Sequence, residues 1–209
     1  MSYDYLFKII TVGDAAVGKT AFISHLTKRI GTRVYDPTVG VDFATKLTYV
    51  GEEKLIKSHI WDTAGQECFA PIIRSYYRDS AGVILMFDLT RRRTFENLDR
   101  WLDELERTRL AERIGTVILV GTKLDKGGRQ VSEAEASQYA ASYGLRYFET
   151  SGLYGDNVDI SFHLLIEDVY RRMEANQGAG IKKNAFKEQG LAVPPVPEGK
   201  KKRKCCTVS

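Results

Sequence analysis

Gly13-Asp14-Ala15-Ala16-Val17-Gly18-Lys19-Thr20 is the stretch on which the reading of this chain turns. It fits the pattern G-x-x-x-x-G-K-[ST], and it has the context that this pattern requires. Before it, Leu6–Val12 is an unbroken β-rich apolar run that reads as a buried strand. After it, Thr20–Arg29 carries Phe22, Ile23 and Leu26 at helical spacing. A strand, a glycine-bounded loop and a helix together form a cradle for phosphate groups. Gly13 and Gly18 let the backbone curl, so that the N–H groups between them, from Asp14 through Ala15, Ala16 and Val17, converge on phosphate oxygens. The helix N-terminus adds partial positive charge. Lys19 reaches the β- and γ-phosphates, and the Thr20 hydroxyl suits Mg²⁺. The motif does not by itself separate GTP from ATP.

Outward from this loop, apolar strands alternate with helical patterns. Asp42–Val50 and Lys54–Trp61 read as a strand pair joined at Gly51-Glu52. Gly82–Phe87 and Thr116–Val120 are buried strands, and Leu145–Phe148 is a short one. Thr94–Arg109 has Phe95, Leu98, Leu102 and Leu105 on one helical face. Ser132–Ser142 opens on Ser132 and Glu135, a capping-box pair. Val158–Met173 is a final amphipathic helix. The alternation predicts an α/β fold with a mostly parallel sheet, whose ligands bind at the carboxyl ends of the strands.

Two further motifs follow strands. Gly121-Thr122-Lys123-Leu124-Asp125 resembles the guanine-reading motif N-K-x-D of GTPases, with Thr in place of Asn as in Rho-type members. A buried Asp125 accepts two hydrogen bonds from the guanine ring N–H and amino group, each worth ~1.5–3 kcal/mol. Adenine offers no such donors there. The stem of Lys123 lies along the base. Trp61-Asp62-Thr63-Ala64-Gly65-Gln66-Glu67 supplies three roles. Asp62 holds Mg²⁺ through water, Gly65 offers its N–H to the γ-phosphate, and Gln66 orients the attacking water. Thr38, in Tyr35-Asp36-Pro37-Thr38-Val39-Gly40, is placed to bind Mg²⁺ and the γ-phosphate. Loss of that phosphate releases Thr38 and Gly65 together, which makes a switch.

The chain resembles the Rab family of small GTPases over roughly residues 4–175 and at the C-terminal cysteines. Val39-Gly40-Val41-Asp42-Phe43 is similar to I-G-V-D-F, Lys57-Ser58-His59-Ile60-Trp61 to K-L-Q-I-W, Tyr76-Tyr77-Arg78 to Y-Y-R-G-A, and Leu85-Met86-Phe87-Asp88-Leu89-Thr90 to L-V-Y-D-I-T. Tyr5-Leu6-Phe7-Lys8 and TRRRTFENLDRWL look closest to the second and fourth Rab subfamilies. The resemblance implies a P-loop NTPase G domain, with a mostly parallel six-stranded sheet and helices on both faces. It implies a GTP/GDP switch with slow, Mg²⁺-dependent hydrolysis that recruits effectors in vesicle traffic. The implied partners are a guanine nucleotide exchange factor, a GTPase-activating protein, an escort/GDI-type chaperone and effectors. Phe43, Trp61 and Tyr76 would form the aromatic patch that effectors read. Ser151-Gly152-Leu153 stands for S-A-K, whose backbone meets the guanine oxygen.

The departures from that pattern cluster at the base. Gly31 stands where an aromatic residue packs near guanine, Thr122 replaces Asn, and Leu153 replaces Lys. They suggest selection of guanine through Asp125 with faster nucleotide release. Ala16 replaces a common loop glycine, Cys68 stands where Arg or Ser is usual, and Asp79-Ser80 replaces Gly-Ala. A binding module that uses GTP with little or no hydrolysis is the alternative these changes leave open.

Charge divides the chain. The total is +4, but from Asn176 onward eight Lys/Arg face two Asp/Glu, a net +6, leaving −2 before it. The mildly acidic body does not suggest nucleic acid, and the basic tail suggests an anionic membrane leaflet. Residues 1–175 read as the folded domain and 176–209, with PPVP, as a flexible tail. There is no apolar run of the ~20 residues a span needs and no secretory signal pattern. The three cysteines fit neither a disulfide framework nor a zinc site. Lys200-Lys201-Lys202-Arg203-Lys204-Cys205-Cys206-Thr207-Val208-Ser209 resembles a Rab double-prenylation signal, and its last four residues also parse as C-a-a-X. One or two lipid chains on Cys205 and Cys206, beside the basic run, would anchor the chain. The expected location is the cytosolic face of Golgi, intermediate-compartment or endosomal membranes, with a cytosolic pool.

Overall fold

Strand β1 (Tyr5–Val12) runs through the middle of the molecule, with Ile9, Ile10 and Val12 fully buried. The computed structural model describes residues 3–27, 41–51, 53–63, 77, 79–112 and 115–178. β1 pairs in parallel with β3 (Lys54–Thr63) on one side and β4 (Gly82–Asp88) on the other. β3 pairs antiparallel with the edge strand β2 (Val41–Val50). β4 continues in parallel through β5 (Thr116–Thr122) to β6 (Arg146–Thr150). The sheet is therefore six-stranded, in the order β2-β3-β1-β4-β5-β6, and parallel except at β2. Gly51 turns β2 into β3 at φ 62°, and Glu52 lies outside the described residues.

Helices cover both faces, as expected. On one face, α1 (Lys19–Leu26) and α5 (Val158–Gly178) pack Phe22, Leu26, Phe162 and Leu165 against Phe7, Ile9, Ile84 and Ile118. On the other, α2 (Arg92–Glu96), α3 (Leu98–Glu112) and α4 (Glu133–Ser142) pack Phe95, Leu98, Trp101 and Ala136 against Ile10, Leu85, Phe87 and Leu119. Burial on both sides explains why β4 reads as a continuous apolar run rather than an alternating one. Each large side chain so buried contributes roughly 1.5–3 kcal/mol. Ser132 caps α4 and accepts the Glu135 N–H at 3.2 Å, as the capping pair predicts.

The expected single helix over Thr94–Arg109 is instead two. α2 ends at Asn97, which has φ −76° and ψ −4°, and α3 begins at Leu98. The Asn97 side chain donates to Asp14 Oδ2 at 2.7 Å. The junction is mild: the Asn97 N–H donates to the Arg93 carbonyl at 3.0 Å, the Trp101 N–H donates to the Asn97 carbonyl at 3.4 Å, and the apolar spacing runs through unchanged. Among the described residues, no helix is long and apolar enough to cross a membrane.

Candidate functional site

The carboxyl ends of β1, β3, β4, β5 and β6 converge at one end of the sheet, where the neighbours of β1 change from β3 to β4. Gly13 follows β1 at φ 145°, and a Cβ there would lie 2.1 Å from the Met86 carbonyl oxygen of β4. Only glycine lets the loop leave the sheet along this path. Gly18, at φ 107°, is the N-cap of α1. Between them Ala16 takes φ 60°, so the loop holds a left-handed residue that carries a Cβ.

Lys19 points back into this curl. It is 5% exposed, and its Nζ donates to the carbonyls of Gly13 and Asp14, each at 2.9 Å. Burial lowers its pKa to about 8, while Asp62 and Asp14 oppose the shift. The ammonium thus sits inside the loop where anionic oxygens would complete its surroundings. The Thr20 hydroxyl donates to Asp62 Oδ2 at 2.6 Å, joining the start of α1 to β3. Thr20 is exposed, and Asp62 is buried at 3%. A hydroxyl and a carboxylate are hard oxygen donors that suit Mg²⁺, which takes one or two protein ligands and completes its shell with waters and phosphates. These two residues fit that ion.

At the end of β5, the Thr122 hydroxyl lies against the Val17 carbonyl and 2.8 Å from the Phe87 carbonyl. It ties the phosphate loop to β4 and β5. Lys123, at φ 63°, donates from Nζ to Asp88 Oδ2 at 2.5 Å. Asp125 accepts the Ser151 hydroxyl at 2.6 Å. Ser151 is fully buried, and its Oγ accepts the Tyr154 N–H at 3.1 Å. The sequence reading expected a buried Asp125. Asp125 is exposed, because the segment after Lys123 turns out from the sheet toward solvent. Gly152 lies against α1, where a Cβ would meet the Ala21 backbone and side chain and the Phe22 nitrogen at 3.0 Å. Leu153 is 66% exposed beside it.

The structure thus brings together Gly13 through Thr20, Asp62, Thr122, Lys123, Asp125 and Ser151 through Leu153. Phe43 and Trp61 are cross-strand partners with ring centroids 5.3 Å apart. Trp61 is 7% exposed and Phe43 37%, so Phe43 presents most of the surface of this pair. Gly31, Thr38, Gly65, Gln66, Tyr76, Cys205 and Cys206 lie outside the described residues.

Sequence reasoning assigned no role to Arg91, Asn97, Arg100 or Trp101, which brace the loop, and none to the Asp14 carboxylate. Asp14 Oδ1 accepts from Trp101 Nε1 at 2.8 Å and Arg100 Nη2 at 3.2 Å, beside the Asn97 bond to Oδ2. Arg91 Nη2 donates to the Ala15 carbonyl at 3.0 Å. Arg91 Nε donates to Asp88 Oδ2 at 2.8 Å. One signal was available: Asp88 is a carboxylate that closes an otherwise apolar strand at its carboxyl end, and it is fully buried. A carboxylate there needs partners.

The site is a glycine-bounded loop closed on the Lys19 ammonium, with the Asp125–Ser151 pair beyond β5 and β6. The Ras family profile matches residues 8–171, which is most of this 209-residue chain, and the chain belongs to the Ras family.

Proposed function

We propose that this chain is a Rab-type guanine-nucleotide switch that hydrolyses GTP slowly and recruits effectors to a membrane in vesicle traffic. Ras-family membership supports the coarser part: a GTP-binding switch of the small GTPase class, generally used with Mg²⁺, exchange factors, activating proteins and effectors. The observation that carries the reading is the pairing of Thr20 with Asp62 at 2.6 Å beside the buried Lys19, together with the Asp125–Ser151 pair at the ends of β5 and β6.

In this reading the loop 13–20 holds the phosphates through its N–H groups, and Lys19 exchanges its two carbonyl partners for phosphate oxygens. Thr20 and Asp62 hold Mg²⁺, which when bound offsets phosphate charge. Asp125, fixed by Ser151, accepts the guanine N–H donors. Thr122 and Lys123 hold the base loop against the phosphate loop, and Gly152 and Leu153 border the base. Thr38, Gly65 and Gln66 are proposed to sense and hydrolyse the γ-phosphate. Phe43, with Trp61 and Tyr76, is proposed as the effector face.

Competition of GTP, GDP and ATP for the purified chain tests the base assignment. Displacement by ATP at concentrations similar to GTP would refute it. Single-turnover hydrolysis with and without an activating protein separates the cycling enzyme from the alternative, a GTP-dependent binding module with little hydrolysis. The left-handed Ala16 is the observation that favours that alternative. For the tail, Cys205→Ser with Cys206→Ser is expected to move the protein into the soluble fraction, and persistent membrane association would overturn the lipidation reading. The proposed location is the cytosolic face of Golgi, intermediate-compartment or endosomal membranes, to be checked by imaging the tagged chain in cells.

A further inference from the structure

Ala16 sits at φ 60° in the phosphate loop. Left-handed backbone crowds the Cβ of any residue but glycine against the following carbonyl. The strain would be relieved if the preceding peptide, Ala15–Ala16, rotated and let φ of Ala16 turn negative. That peptide is held from outside. Arg91 Nη2 donates to the Ala15 carbonyl at 3.0 Å, while Arg91 Nε donates to Asp88 Oδ2 at 2.8 Å. Asp88 is fully buried, and its other oxygen accepts the N–H and hydroxyl of Thr90 at 2.9 and 2.7 Å. Burial pushes the Asp88 carboxyl up, but the bonds from Lys123, Thr90 and Arg91 outweigh this and hold it below its usual value. The guanidinium therefore spans a fixed charge and a backbone carbonyl.

A trans peptide is planar, so the N–H of Ala16 points opposite the Ala15 carbonyl. With the carbonyl turned out to Arg91, the N–H turns in toward the concave side of the loop, where the Lys19 ammonium lies. Rotating the peptide would present a carbonyl to the phosphates instead of a donor.

We infer that Arg91 is a positioning residue for nucleotide binding: buttressed by Asp88, it holds the Ala15–Ala16 peptide with its N–H toward the phosphates against the strain that Ala16 imposes. Asp88 also receives Lys123, so the same carboxylate aligns the base loop. The inference rests on the reading of loop 13–20 as the phosphate site.

Release of a fluorescent GDP analogue, with Mg²⁺ present, is measured in the full chain and in Arg91→Ala, Ala16→Gly and the double variant. Residues that act on one peptide are not additive in their effects. Arg91→Ala is expected to speed release about 10-fold with Ala at 16 and about threefold or less with Gly at 16. A merely structural role predicts the same factor in both backgrounds, and that result, or no acceleration at all, overturns the inference. Arg91→Gln, which keeps the stem and loses the fork, should show the same background dependence and is read if Arg91→Ala does not fold. Failure of the unmodified chain to bind GDP overturns the phosphate-site reading itself, a separate outcome.

Discussion

Thr20 and Asp62, 42 positions apart in the chain, meet through a 2.6 Å hydrogen bond from the Thr20 hydroxyl to Asp62 Oδ2. On the proposed reading this pair holds Mg²⁺, so chelating the ion should hasten GDP release from the unmodified chain. Asp62→Asn removes the carboxylate and should release GDP about 10–100-fold faster in Mg²⁺, the range that outer-sphere metal partners show. Chelation should then add little. If chelation speeds the variant as much as the parent, Asp62 does not serve the ion.

Lys19 gives a pH signature. Its pKa falls from 10.5 to about 8 in the folded chain, chiefly through burial. Below about pH 8 both folded and unfolded forms hold the proton, and the folded form bears the full cost of a buried charge. Between about 8 and 10.5 the folded form loses its proton first, so the unfolded chain binds more protons and stability rises with pH. The full span is worth about 3 kcal/mol. Urea unfolding of nucleotide-free protein at pH 7.5 and 9.5 should show the gain, and Lys19→Met should flatten it. GDP affinity should move the other way, weakening above about pH 8 as the ammonium is lost.

Gly13 and Gly51 both have positive φ, yet they should respond differently to alanine. At Gly13 the new Cβ would meet the Met86 carbonyl oxygen at 2.1 Å, whereas nothing lies within 4 Å at Gly51. Gly51→Ala should cost about 1–2 kcal/mol, the left-handed backbone alone. Gly13→Ala adds a backbone collision and should cost at least about 3 kcal/mol, with loss of nucleotide binding. Thermal or urea melts of the two variants check the difference.

Thr122 is the base-side departure with a visible consequence. One hydroxyl proton serves two carbonyls, those of Val17 and Phe87. Asparagine has two N–H donors. Thr122→Asn should therefore slow GDP release, by about 5-fold for one added buried hydrogen bond of ~1 kcal/mol. An unchanged or faster rate would show that Thr122 braces the loops as well as asparagine does. Gly31→Phe, measured in the same assay, should also slow release if the missing aromatic speeds it.

The strands were legible because burial on both faces writes itself as Val/Ile/Leu runs: Gly82–Phe87 was read one residue short of β4. The phosphate loop was legible because its glycines have steric reasons, as Gly13 against Met86 shows. The junction at Asn97 was not, since Phe95, Leu98, Leu102 and Leu105 keep helical spacing across it, and the bond from Asn97 to Asp14 joins positions 83 apart. Asp88 and Arg91 were quoted in the sequence without roles, because what they brace lies far along the chain: Arg91 to Ala15 spans 76 positions. Local pattern reports which face a residue shows to the core. It does not report which distant carbonyl a side chain will reach.

The exposure of Asp125 bears on where discrimination between bases happens. Asp125 is exposed, and one of its carboxylate oxygens accepts the Ser151 hydroxyl. On the proposed reading, any arriving base must strip that hydration, and only one with N–H donors restores what is lost. An open acidic mouth does little to refuse entry. Selectivity then resides in dwell time: right and wrong nucleotides arrive at similar rates, and the wrong ones leave sooner.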